Sequence, residues 1–453
     1  MGRRIATAAL ICALAIGGAT VTSAAQGQSQ TTTGPAAVTP AKKGKGHVHE
    51  AWPHNKDGKK PHKRLARKLA KQIGPIKLRK PRAASAITAT RSDASRASTP
   101  TSPGVVATGD ATSANRLLLV RSFDIPVDDK LYADLSNYSW TYDNALATLA
   151  FVADKDRPQA RQLLDQLLAL QNKSGSFNFA FDVKTGASSE VVRSGAVAWV
   201  GLAAAAFSDK YGEKTYDPMI TGALDYLLSQ RNSAGLIKGG PDVSWVSTQH
   251  NLLTAELLRQ IIPLVKGSHS FGSYTASSLT AARTALETAI NKDLLNSSLL
   301  AASFKEGQND NRTPIDVQAL GAMYLQSRAD LRAGLVGNTI LQPGFYVPPR
   351  STTAASTKVS GLKPFLDTGS PDLIWSEGTI ESQFALTRLG LPGTYVAAAV
   401  RSLAETNKAN TVGPIGADRT SDNTWGQYRT WATSAAASWL LMLELEDDVD
   451  LFG

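Results

Sequence analysis

Acidic residues stand at the starts of several predicted helices, close to tryptophan and amide side chains. The candidates for chemistry are Asp143, Glu190, Asp316, Glu377 and Glu381. Two carboxyl groups that face one another can act as general acid and general base, or as acid and nucleophile. Glu377 and Glu381 lie one helical turn apart and would rarely stand on opposite sides of a substrate. We therefore predict a pair that comes from different helices.

Glu377 is the first choice for the general acid. It lies between Trp375 and Gly378, where a partly apolar wall would raise its pKa and the backbone could approach closely. Asp143 or Asp316 would then be the base or the nucleophile. Each acid also has a structural explanation, because carboxylates in the first turn of a helix interact favourably with its dipole and its free N–H groups.

Aromatic and amide side chains at the same helix starts predict a surface for a sugar. Tryptophan faces stack on apolar ring faces, while amides, carboxylates and guanidinium groups bind hydroxyls. The predicted binding residues are Trp140, Tyr142, Asn144, Trp245, Gln249, His250, Asn251, Gln318, Trp375, Glu381, Trp425 and Arg429. The alternative is that the aromatic residues only pack against loops.

His250 is open to two interpretations. It could bind a sugar hydroxyl or act as a base, or it could be a buried structural histidine. The nearby turn at residues 308–311 has the composition of a calcium loop but lacks the ligand spacing and the distal glutamate. We therefore predict no metal and no cofactor.

Six long helices rich in Ala, Leu, Val and Gly follow these polar starts. The starts are 49 to 67 residues apart, which leaves room for a helical hairpin in each unit. They lie at Trp140, Ser189, Trp245, Arg312, Trp375 and Trp425. Helices with one charged face alternate with them, over residues 157–171, 216–231, 275–295 and 393–408.

A helix that is apolar nearly all round is buried, and one with a charged face lies outside. The alternation therefore predicts an all-α fold, an (α/α)6 toroid of helical hairpins that spans residues 113–453. The outer helix that completes the ring would come from around residues 115–123. An open helical solenoid is the competing arrangement.

Over roughly residues 132–445, the sequence resembles the six-hairpin glycosidase superfamily, although it matches no single family within it. The likeness rests on the architecture and on the segments WVSTQHN, DVQAL and WSEGT. It implies a cleft at one face of the toroid, built from the starts of the inner helices. It also implies a glycoside hydrolase that cleaves a poly- or oligosaccharide with paired carboxylates.

Three alternatives stay open. A polysaccharide lyase would use His250 or a tyrosine as base, with Asn251 and arginines neutralising a uronic acid. A non-catalytic glycan-binding protein of the cell envelope would bind without turnover. A terpenoid-cyclase toroid is suggested by Gln171, Gly175 and Phe177, but no aspartate-rich diphosphate site accompanies them.

The N-terminal quarter of the chain is unlike the rest. Arg3 and Arg4 precede an apolar run that ends near Ala25, which predicts a cleaved signal peptide over residues 1–25, export to the cell envelope or beyond, and no transmembrane anchor after cleavage. The chain's single cysteine falls in this leader, so disulfide and thiolate chemistry are excluded from the mature protein.

Residues 26–112 predict a disordered basic linker rich in Ala, Thr and Lys. Its stretch 41–82 carries 15 of the 48 Lys and Arg but only two of the 38 Asp and Glu, so the formal charge of +10 belongs to this tail and does not indicate nucleic-acid binding by the folded part. Within the stretch, residues 63–80 could form a short basic amphipathic helix, and the tail could contact an anionic cell envelope.

Overall fold

A computed structural model describes residues 61–75, 116–298, 300–325, 327–352, 355–406, 412–445, 448–449 and 451–452. The predicted signal peptide and the linker on both sides of residues 61–75 lie outside these ranges. Within them, no helix has both the length and the apolar character that a membrane crossing needs.

Six inner helices form a closed ring, and each packs against the next. They are α3 (Thr141–Ala153), α5 (Ser194–Tyr211), α7 (Thr248–Gly267), α9 (Ile315–Tyr324), α11 (Ser376–Arg388) and α13 (Ser434–Glu444). The last of them, α13, packs against the first, α3. Nearly every residue of α3 and α5 is buried, which agrees with their Ala- and Leu-rich sequences. The predicted toroid is confirmed, and an open solenoid is excluded.

The same hydrogen bond, repeated six times, closes this ring. The first N–H of each inner helix donates to a carbonyl in the segment that leads into the next inner helix, at 2.9 or 3.0 Å. The donors are Thr141, Ser194, Thr248, Ile315, Ser376 and Ser434, and the respective acceptors are Phe179, Gly239, Glu306, Pro364, Gly416 and Ser122. Because a free helix N–H needs a partner, each bond fixes the start of one helix to the approach of the next.

The outer helices pack on this ring. They are α4 (Arg157–Leu170), α6 (Asp217–Ser229), α8 (Ala276–Asp293), α10 (Ala329–Asn338), α12 (Thr394–Thr406) and α1 (Pro61–Ala70), with the one-turn helix α2 (Tyr132–Leu135) in a connection. The outer helices α4, α6, α8, α10 and α12 each pack on the inner helix that directly precedes them in the chain. Helix α1 packs against α13 and α3 and so completes the outer layer.

Helix α1 corrects two predictions. Residues 61–75 were assigned to a disordered linker, but Leu65 and Leu69, one turn apart, are buried against the ring, and Lys63 Nζ lies 2.7 Å from Asp154 Oδ1. The basic amphipathic helix expected here is present, although it ends at residue 70. The outer helix expected around residues 115–123 is absent, because residues 116–122 run extended beside residues 72–74.

Short antiparallel strand pairs form the connections. Their strands are β1 (Phe123–Asp124), β2 (Tyr138–Trp140), β3 (Ala180–Asp182), β4 (Leu295–Asn296), β5 (Ser303–Phe304), β6 (Tyr346–Thr352), β7 (Ala355–Leu362), β8 (Ser421–Asn423), β9 (Gly426–Tyr428) and β10 (Ala432–Thr433). β1 pairs with β10 from the far end of the chain, with Phe123 opposite Thr433. The other pairs are β2 with β3, β4 with β5, β6 with β7, and β8 with β9.

Candidate active site

The second residues of the six inner helices occupy equivalent positions in the ring. These residues are Tyr142, Gly195, Gln249, Asp316, Glu377 and Ala435. Five of the six line a single cavity, and the exception is the glycine. The cavity therefore belongs to no single hairpin, and only the closed ring assembles it.

Aromatic side chains and three carboxyl groups wall this axial cavity, which holds about 580 Å³ including its open mouth. Its remaining lining residues are Phe123, Trp140, Asp143, Trp375, Gln427, Tyr428 and Thr433. The three acids predicted to be catalytic, Asp143, Asp316 and Glu377, thus stand on three different helices around one space. Phe123, Thr433 and Ala435 are among the lining residues to which the sequence did not point, and Phe123 and Thr433 meet there through the pairing of β1 with β10.

A chain of hydrogen bonds holds Glu377. The hydroxyl of Tyr142 donates to Glu377 Oε1 at 2.5 Å, and the indole N–H of Trp439 donates to the oxygen of Tyr142 at 3.2 Å. Withdrawal from water raises the pKa of Glu377 to about 8, with smaller contributions from the negative charges of Asp143 and Asp316 and an opposing one from the Tyr142 bond. Glu377 is therefore protonated at neutral pH.

The other two acids that line the cavity have lower pKa values than Glu377. Burial raises the pKa of Asp143 to about 7, against a hydrogen bond from the side chain of Ser122. Burial also raises the pKa of Asp316 to about 6, opposed by backbone N–H groups of its own helix start. Asp316 Oδ2 additionally accepts from Gln249 Nε2 at 3.1 Å. Three neighbouring carboxyl groups thus have three different proton affinities.

Two further acids lie close to this group without lining the cavity. Glu381 is one turn beyond Glu377 on α11 and is 1% exposed, and its Oε1 has no hydrogen-bond partner. Burial raises its pKa well above the usual range, and Asp316 and Glu377 add to the effect. Glu306, which the sequence analysis missed because it lies in a connection, has a pKa raised to about 8 by burial and by Asp316.

Three amides predicted to bind substrate bind the protein itself. Asn144, Asn251 and Gln318 are each the fourth residue of an inner helix, and each accepts from a backbone N–H of an adjoining segment, namely that of Val120, Ile237 or Phe304. Their NH2 groups donate to the carbonyl oxygen four residues earlier. All three side chains are buried, so they fasten the connections to the ring and do not line the cavity.

His250 also lies apart from the axial cavity. It is fully buried against Trp245, with ring centroids 5.6 Å apart, and neither ring nitrogen has a partner. Burial lowers its pKa to about 3, and Arg193 contributes to the effect. The glycine at the second position of α5 makes room for it, because a Cβ on Gly195 would stand 2.4 Å from His250 Cδ2. The structure thus gives His250 a packing environment.

The four tryptophans that were predicted to bind a sugar divide into two sets. Trp140 and Trp375 line the cavity, as expected for residues that stack on a ring. Trp245 instead covers His250, and Arg193 lies over its ring. Trp425 packs edge-on against Phe365, with a ring-centroid distance of 5.1 Å.

The segment around Trp425 is not a helix start. Residues 421–428 form the β8–β9 hairpin, and the inner helix begins only at Ser434. Arg429 follows this hairpin and pairs with Asp422 at 2.6 Å. Glu190, the fifth acid of the sequence analysis, is exposed and does not line the cavity. Within the described ranges, no group of His, Cys, Asp or Glu side chains is arranged to hold a metal ion.

No protein-family model matches the chain, and no curated protein is similar to it. Among solved structures, a D-mannose isomerase is similar with 13% identity, over 74% of this chain and 93% of that one, at a TM-score of 0.49. A glycosidase is similar with 13% identity over 75% and 92%, at a TM-score of 0.49. An α-amylase from Clostridium perfringens is similar with 8% identity over 75% and 94%, at a TM-score of 0.48.

Proposed function

We propose that this protein is a glycoside hydrolase that cleaves a poly- or oligosaccharide by acid and base catalysis. One observation carries the proposal. Three carboxyl groups from separate inner helices face one aromatic-walled cavity, and their environments separate their pKa values, at about 6, about 7 and about 8. Glycosidic cleavage needs one protonated and one ionised carboxyl group at the same pH.

Glu377 is the proposed general acid. Its raised pKa keeps the proton at neutral pH, and the Tyr142 hydroxyl fixes the carboxyl group from one side. In the reaction, the proton passes from Glu377 to the glycosidic oxygen as the bond from that oxygen to the anomeric carbon breaks. The leaving sugar thereby departs as a neutral alcohol.

Asp316 is the proposed second carboxylate. It has the lowest pKa of the three lining acids, so the largest fraction of it is ionised when Glu377 is protonated. It either removes a proton from the attacking water or attacks the anomeric carbon itself. The amide of Gln249 donates to one of its oxygens and holds it in place. Trp140 and Trp375 would stack on the sugar rings.

The cavity offers little to a lyase. Of the proposed lyase bases, His250 is fully buried away from the axial cavity and binds protons only weakly, and burial raises the pKa of the two cavity tyrosines, Tyr142 and Tyr428, well above the usual range. The arginines near the helix starts, which would have to neutralise a uronic carboxylate, are each paired with an aspartate of their own: Arg193 with Asp242, Arg312 with Asp310, and Arg429 with Asp422.

We extend the proposal to export. The predicted leader would direct the chain across the membrane, and the exposed Lys63, Arg64, Arg67 and Lys71 on and just after α1 would contact an anionic envelope. N-terminal sequencing of protein recovered outside the cytoplasm tests the first part, and a start near Gln26 is expected.

The hydrolase is tested by incubating the full chain with neutral, amino and uronic polysaccharides. New reducing ends without absorbance from an unsaturated product indicate hydrolysis, whereas that absorbance would indicate a lyase. Glu377→Gln and Asp316→Asn should both lower turnover on the order of 10³-fold, and Glu190→Gln, which replaces an exposed acid outside the cavity, should leave it unchanged. Saturable glycan binding without any turnover would instead favour a binding protein.

A further inference from the structure

The axial cavity holds more acid than the proposed reaction uses. Hydrolysis needs two carboxyl groups, and we assign it Glu377 and Asp316, so Asp143 remains. Among the residues that the structure describes, no Lys, Arg or His lines this cavity. The third carboxyl group therefore faces the space without an opposite charge from the described part of the chain.

Aromatic residues line the same cavity as Asp143. Asp143 is 2% exposed, and the side chain of Ser122 is the one hydrogen-bond partner that lowers its pKa. Phe123 and Trp140 line the same cavity and meet edge to face, with ring centroids 4.8 Å apart. A carboxylate beside aromatic faces is a typical environment for an organic ammonium group, which both attract.

A buried carboxyl group without a hydrogen-bond donor is an independent feature of the same region. The Glu381 carboxyl group lies one turn below Glu377 and is almost completely buried, and its Oε1 has no donor. It interacts electrostatically with Tyr142, Asp316 and Glu377, all of which line the cavity. A buried carboxyl group without a donor is costly, and its electrostatic interaction with the residues that line the cavity favours a ligand that brings positive charge.

We propose that Asp143, together with Trp140 and Phe123, forms a subsite for the ammonium group of an amino sugar, so that the substrate is an amino-sugar polymer and not a neutral or uronic one. This inference rests on the proposed function, because it assigns Glu377 and Asp316 to the reaction. It adds a specificity-determining residue to the site.

Proton release follows from this assignment. Burial raises the pKa of Asp143 to about 7, so Asp143 carries a proton in much of the free protein at pH 6, and Glu377, Asp316 and Tyr142, which line the same cavity, supply no positive charge. An ammonium group would favour the ionised carboxylate and displace that proton, whereas a neutral sugar would not. Calorimetry in two buffers of different ionisation enthalpy measures the difference.

The experiment compares ligands of equal length and linkage on the full chain carrying Glu377→Gln, which separates binding from turnover. A glucosamine oligosaccharide should bind at least about tenfold more tightly than its N-acetylated or its glucose counterpart at pH 6, and should release protons. Adding Asp143→Asn should bring the affinity ratio close to one, and adding Glu190→Gln should leave the ratio as it was.

Salt provides a second measurement that needs no change at Asp143. The affinity for the amino sugar should fall as ionic strength rises, while that for the glucose oligosaccharide should hardly change. Equal affinities for the three ligands, or a preference that survives Asp143→Asn, would overturn the subsite. Turnover of neutral glycans without a preference for amino sugars would contradict the subsite but support the hydrolase. A strong preference for the amino sugar with no turnover of any glycan would support the subsite but contradict the hydrolase.

Discussion

Two regions of the toroid bury carboxyl groups, and the two regions differ in the number of hydrogen-bond donors that these groups receive. Near the middle of α7, Glu256 is 2% exposed and accepts four hydrogen bonds, from Arg259 Nε and Nη2, from Gln260 and from the backbone N–H of Phe452, at 2.7 to 2.8 Å. At the axial cavity, Glu377 and Asp143 are raised in pKa and have few donors.

The difference shows that burial by itself does not indicate function. A buried carboxylate that is fully satisfied ties elements together, as Glu256 ties α7 to the last residues of the described chain. A buried carboxyl group left without donors costs free energy and persists where it serves a reaction or a ligand. Four substitutions test this difference between the two regions.

The largest effect is expected from Glu377→Gln. The amide keeps the shape of the side chain and can still accept from Tyr142, but it has no proton to give to a leaving group. We expect kcat to fall on the order of 10³-fold with an unchanged melting temperature, as measured by initial rates and thermal unfolding. A drop in stability with full residual activity would place Glu377 with the structural carboxylates.

The structural region should respond in the opposite way to Glu256→Gln. This change places a neutral group beside the Arg259 side chain, which is 22% exposed, and weakens the hydrogen bonds that it donates, which should lower the free energy of unfolding by about 2 kcal/mol. Denaturant unfolding measures that loss. Activity per folded molecule should stay as in the parent, and a loss of kcat without a loss of stability would contradict the comparison.

His250 should make the fold sensitive to acid. Its pKa is about 3 in the folded chain and near 6.5 when unfolded, so its contribution is present above pH 6.5 and is lost as the pH falls towards 3. Between pH 6.5 and 4.5 this should cost the parent about 2 kcal/mol that His250→Leu does not lose. Unfolding titrations at several pH values test this, and loss of turnover at constant stability would restore the lyase interpretation.

The last of the four substitutions is Glu381→Leu. Because burial raises the pKa of Glu381 in the folded state, the parent loses stability as the pH rises above about 4.5, and the variant should not. The variant should therefore gain stability relative to the parent as the pH rises from 5 to 8. An equal loss of stability at both pH values would show that this carboxyl group has a donor after all.

The helical architecture could be predicted from the sequence alone. Apolar residues on every side of the inner helices and on one face of the outer ones fix which layer each helix joins, since periodicity and burial are local properties of the chain. The same logic placed Asp143, Asp316 and Glu377 at helix starts, and the ring brings these starts to one axis. The basic helix before the domain was also visible, although its place in the outer layer was not.

The contacts of each polar side chain depend on the tertiary structure. Residues two and four of an inner helix look alike in the sequence, yet a rotation of about 200° separates them: Gln249 faces the cavity, while Asn251 fastens a connection. His250 became a packing residue because Gly195, on the neighbouring helix, leaves it space. Such outcomes depend on atoms brought together from distant parts of the chain, and a pattern read along one helix does not contain them.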